Sequence, residues 1–127
     1  MTVIDAKERF GEELDKALAD GGAPNWMGDI ARMAITPAAQ QLLEETHGNA
    51  DMAHVYGSFL ILLMASGDFG AVDRHDSMAN MAAVKSGGQV MGVYPADPEN
   101  EDKEGNVIWL IVDPGHKVLT VLTPSDY

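Results

Sequence analysis

The stretch Asn106-Val-Ile-Trp-Leu-Ile-Val-Asp-Pro-Gly-His-Lys-Val-Leu-Thr-Val-Leu122 decides the fold class. Two β-rich runs, 106–112 and 117–122, flank Asp113-Pro114-Gly115-His116, where proline presets a turn and glycine accepts the angles that close it. Ile108, Leu110 and Val112 alternate with Trp109 and Ile111. Val118, Thr120 and Leu122 alternate in the same way with Leu119 and Val121. Both runs are apolar on both faces, so the hairpin is central in its sheet or covered on both sides. A third β-rich run, 89–94, precedes them and is joined to the hairpin by residues 95–105.

Upstream of this hairpin the apolar period lengthens from two to that of a helix. Phe10, Leu14 and Leu18 form one stripe, with Thr2 as a cap and Gly21-Gly22 as a stop. Trp26, Ile30 and Met33 share a face and predict a shorter helix after Pro24. Thr36-Pro37 reads as an N-cap followed by proline in the first helical position. The helix it opens covers 38–46, buries Leu42 and Leu43, and stops at Gly48. Asn49 or Asp51 caps the next helix, which runs through Met52, Val55, Tyr56, Phe59, Leu60, Leu62 and Leu63. Its apolar run 59–64 would also suit a core strand. The pattern extends back through Ala53 and forward to Ser66-Gly67, which favours helix. Asp73 or Asp76 opens a further helix carrying Met78 and Met81, and Gly87-Gly88 ends it. The expected architecture is α+β in a single globular domain over 1–127. Four to five helices in the first two thirds pack on a C-terminal three-stranded antiparallel sheet.

A chain of 127 residues is long enough to bury a genuine core. It has no cysteine, which excludes disulfides and thiolate zinc sites and fits an intracellular protein. The N-terminus lacks the basic start and apolar core of a signal peptide. The longest apolar run, 59–65, is far below the roughly twenty residues that span a bilayer. A cytoplasmic protein that neither crosses nor binds a membrane is the expectation.

Charge carries the strongest functional signal. Twenty acids oppose eight lysines and arginines, a formal charge of −12. Asp97, Glu99, Glu101, Asp102 and Glu104 crowd into one segment. Such a surface repels nucleic acid and attracts basic proteins. These five acids are therefore the expected partner-binding site, with Glu12, Glu13, Glu44 and Glu45 as extensions. The expected partner is a nucleic-acid-binding protein or nuclease, bound without direct contact to nucleic acid. In charge and size the chain is similar to small acidic inhibitors of phages and mobile elements, anti-CRISPR and anti-restriction proteins among them, and to nuclease immunity proteins. That resemblance implies steric and electrostatic blockade of a basic surface. The EF-hand order of ligands is missing from the acidic segment, and no metal or cofactor is expected.

Other residues support different chemistry. His75 and Asp76 mark a helix start, while Asp113 and His116 mark the hairpin turn; if the two ends met, they would hold a metal or an acid–base pair. A small hydrolase or metal-dependent enzyme is the alternative on that ground, although no His-x-x-x-His or His-Glu-x-x-His spacing occurs. His54 and Ser58 share a helical face, but Tyr56-Gly57-Ser58-Phe59 is not a nucleophile elbow. The tail from Ile108 onward resembles the closing hairpin of small ribonuclease toxins with a barnase-like or RelE-like sheet. That resemblance implies His116 or Thr120 near a catalytic face, whereas the acidic balance departs from what phosphate binding requires. Exposed methionines and a free hairpin edge leave a third role, a structural subunit that associates with itself as a homodimer.

Overall fold

The computed structural model describes residues 25–127. The helix expected over 2–20, with Glu12 and Glu13, lies outside them. Thr36 is extended and accepts a hydrogen bond from the Ala39 N–H at 3.2 Å, opening α1 (Pro37–His47). Gly48, at φ 98°, closes α1 in a left-handed conformation that a side chain would resist. Asn49 caps α2 (Ala50–Ala65) through the Met52 N–H at 2.9 Å, and Asp73 caps α3 (Arg74–Ser86) through the Asp76 N–H at 2.7 Å. Each such cap stabilises its helix by about 1 kcal/mol. Residues 59–64 are helical, within α2.

Four strands follow from β-rich runs and from one segment whose pattern does not announce it. These are β1 (Arg32–Ile35), β2 (Val90–Pro95), β3 (Val107–Val112) and β4 (Val118–Leu122). Their order is β1-β4-β3-β2, with β1 parallel to β4 and the other pairs antiparallel. Two expectations are corrected here. Among the described residues the sheet is four-stranded and mixed, not three-stranded and antiparallel. Three α-helices, not four to five, occur among the described residues. The helix expected after Pro24 is a single 3-10 turn, Asn25–Met27, followed by β1. The reason is tertiary. The Trp26 indole donates to the Ala65 carbonyl at 3.1 Å, fixing the turn on the end of α2. The Arg32 and Thr36 N–H groups then donate to the Lys117 and Val121 carbonyls, whose unpaired edge draws this segment into extended form.

One face of the sheet carries the core. Val90, Tyr94, Ile108, Leu110, Val112, Leu119 and Val121 meet Leu43, Tyr56, Leu60 and Met64 from α1 and α2. Burying each of the larger side chains contributes roughly 1.5–3 kcal/mol. On the second face of inner strands β3 and β4, Ile111 and Leu122 are buried, Trp109 and Thr120 are half-buried, and Trp109 meets Tyr127 edge-on at 5.5 Å.

The two outer edges differ. Along β2, the Asn80 side chain accepts from the Met91 N–H at 3.1 Å and donates to its carbonyl at 2.8 Å, imitating a neighbouring strand. The next pair of groups is met by the Phe69 carbonyl and the Ala71 N–H, both bonded to Val93. Gly70 stands between them at φ 74°, where a Cβ would collide with the Val93 carbonyl. No described residue covers β1 in this way.

Candidate functional site: the acidic loop end

The strands give the sheet two distinct ends. At one, β2 passes into the acidic loop 96–106 and back into β3; α1 also finishes here. At the other, β3 turns into β4.

The loop is built around Asn106, which is only 4% exposed. Its side-chain amide donates to the Asp97 and Asn100 carbonyls at 2.9 and 2.7 Å, while its side-chain oxygen accepts from the Asp97 N–H at 2.6 Å. Three successive turns, closed by N–H donors of Asn100, Lys103 and Asn106, wind the segment around that centre. Asp97 completes it. Its carboxylate accepts from the Asn100 side chain at 2.6 Å and the Glu99 N–H at 3.0 Å. Those two donors, the Asn100 amide first, hold the Asp97 carboxyl below the usual carboxylate range. Glu99, Glu101, Asp102 and Glu104 are exposed.

Two helices clamp the base of the loop. The Tyr56 hydroxyl donates to the Pro95 carbonyl at 2.6 Å, and His47 Nε2 bonds the Ala96 carbonyl at 2.8 Å. A carbonyl only accepts, so His47 carries its proton on Nε2. The two rings stack with centroids 4.3 Å apart. Burial, partly offset by the Ala96 carbonyl, lowers the His47 pKa below its ordinary 6.5. Behind the loop, the Tyr94 hydroxyl donates to the Asp68 carbonyl at 2.8 Å. Burial, then the nearby Asp68 charge, pushes that hydroxyl far up, so it remains a donor.

Further carboxylates face the loop across two shallow grooves. One groove, about 310 Å³, brings Glu45 of α1 beside Asp97 and Glu104, with Lys103 on its rim. The other, about 360 Å³, brings Asp68 beside Glu101 and Asn106. Glu44 points elsewhere, bonded to Gln40 along α1. Cations gather at the far end of the sheet. Arg32 and Lys117 meet there through the backbone, and Lys85 precedes Gly87, whose carbonyl accepts from the Gly115 N–H. Asp113 stands among them. The loop acids, Glu45 and Asp68 therefore lie toward one end of the sheet, and Arg32, Lys85 and Lys117 toward the other.

The other expected site residues do not converge. His75 and Asp76 occupy the first turn of α3, while His116 lies beyond its last turn, its Nε2 donating to the Gly88 carbonyl at 2.7 Å. A helix of that length separates them by roughly 18 Å at 1.5 Å per residue. His116 is 7% exposed and packs edge-on against Trp26, whereas Asp113 is exposed. Among the described residues no three His, Asp or Glu side chains are grouped so as to hold a metal ion. Thr120 lies on the sheet face away from the core. His54 and Ser58 line an apolar groove beside β1, together with Met33, Ile35 and Ile61.

The loop acids stand together in the sequence, whereas the residues that shape the loop are scattered along it. Asn106, His47 and Tyr56 read as a strand flank, a helix end and a core aromatic. The signal for Asn106 was faint, an amide directly before an apolar run. No helix among the described residues is long and apolar enough to cross a membrane. No protein-family model, curated protein or solved structure matches the chain.

Proposed function

We propose that this protein binds a basic partner through its acidic loop end. Binding would occupy a surface that the partner, a nucleic-acid-binding protein or nuclease, otherwise uses for phosphate. The observation that carries this reading is the shape of the charge. Glu99, Glu101, Asp102 and Glu104 project from a loop held rigid by Asn106, with Glu45 and Asp68 across the flanking grooves. A preorganised array loses less entropy on docking than a mobile acidic tail would. Opposite charge also raises the association rate, by ten- to a thousandfold at low salt. The separation of the loop acids from Arg32, Lys85 and Lys117 orients the molecule during approach.

The test is capture of partners from a host extract at low and at high salt. The comparison variant replaces Glu99, Glu101, Asp102 and Glu104 by Gln or Asn and keeps Asp97, which maintains the loop. A nuclease or nucleic-acid-binding protein retained at low salt, and lost with the variant, supports the reading. Equal capture by both proteins removes the loop from it.

A further inference from the structure

From the side of β1 that no described residue pairs with, we infer that two copies of this chain pair through it, joining their sheets antiparallel across a two-fold axis. The pattern of hydrogen bonds defines what this edge offers. Arg32 and Thr36 donate toward β4, so the alternation of a strand directs Met33 and Ile35 outward with both N–H and carbonyl. The register with Leu119 and Val121 places these two side chains on the helix-bearing face, yet Met33 is 61% and Ile35 41% exposed. The β2 edge, by contrast, is met by Asn80 and by residues 69–71. An edge that no described residue covers, carrying apolar side chains, is a template for another strand.

A second copy fits this template because the segment is complementary to itself. Antiparallel pairing centred on Ala34 sets Met33 against Ile35 of the other copy, forming about four backbone hydrogen bonds across the axis. Ala34 then meets Ala34 at the position where antiparallel strands approach most closely, about 4.5 Å between Cα atoms. The smallest side chain of β1 stands where least room exists. The same register brings Arg32 opposite Thr36, whose hydroxyl donates to the Asp126 carboxylate at 2.6 Å. Arg32, Thr36 and Ala34 share one face of the strand, so a guanidinium meets a carboxylate twice in the pair. The two-fold also sends the acidic loops to opposite ends of the joined sheet. Parallel pairing would align those loops instead, and it is disfavoured at a formal charge of −12 per chain. The outward loops would stay accessible, so this inference is independent of the proposed function.

Mass in solution by sedimentation equilibrium, with amide exchange at Met33 and Ile35, tests the pairing. The expected result is a dimer at tens of micromolar, with protection of both amides that increases with concentration. Met33→Lys with Ile35→Lys places lysines opposite lysines at exposed positions and should give a folded monomer. Arg32→Glu should weaken the dimer about tenfold, by setting a carboxylate against Asp126 twice. A chain that stays monomeric to several hundred micromolar overturns the proposal. So does a dimer unchanged by the double lysine substitution. Concentration-independent protection of the two amides would also overturn it and would mean that the same chain covers its own edge.

Discussion

Asn106 contributes more to the acidic loop than any of the acids, because it satisfies backbone groups that would otherwise be buried without partners. Asn106→Ala removes two donors and one acceptor at a site shut off from water. A loss of about 2–4 kcal/mol is expected in urea denaturation, with faster amide exchange across residues 97–104. His47 provides a second test at this scale. Its folded pKa lies below 6.5, whereas the unfolded chain titrates near 6.5. The unfolded state therefore binds more protons in the interval between, and stability falls as pH drops below about 6.5 toward the folded value. Above that interval the contribution is fully present. Denaturation midpoints at pH 5–8 should show this slope, and His47→Gln should flatten it. Neither role was legible in the sequence. A lone asparagine or histidine has no period, and its value arises from carbonyls of Asp97, Asn100 or Ala96 brought to it by the fold.

Helices announced themselves through their ends, since capping is local chemistry. Thr36-Pro37, Gly48 and Gly87 mark boundaries that the structure repeats, and of the paired candidates Asn49 or Asp51 and Asp73 or Asp76 the first of each is the cap. Strand β1 did not announce itself. Met33 and Ala34 favour helix as readily as strand, and the spacing of Trp26, Ile30 and Met33 fits a helical face. Only the free carbonyls of β4, set by residues more than eighty positions later, decide the matter. The same dependence on distant partners hid the role of Asn80, which lies in α3 yet completes β2. Asn80→Ala should leave the Met91 N–H and carbonyl unpaired, costing about 1–3 kcal/mol. Chemical denaturation checks the magnitude, and exchange at the Met91 amide checks the place. A substitution to Leu would restore packing but not the hydrogen bonds, and should recover little of the loss.

At the scale of the molecule, the decisive property is how charge is distributed, which composition alone does not reveal. The acids at 97–104 lie close in sequence and were therefore legible as a cluster. That Glu45 and Asp68 join them, while Arg32, Lys85 and Lys117 collect at the other end, follows from strand order and from where α1 and α3 finish. Such polarity predicts salt-dependent recognition of basic surfaces by one end only. Backbone NMR during titration with poly-lysine, at low and at high salt, tests this most directly. Shifts should concentrate at residues 97–105 and around Glu45 and Asp68, leave Arg32 and Lys117 unmoved, and fade as salt is added. Shifts spread evenly over the surface, or centred away from the loop, would contradict the account.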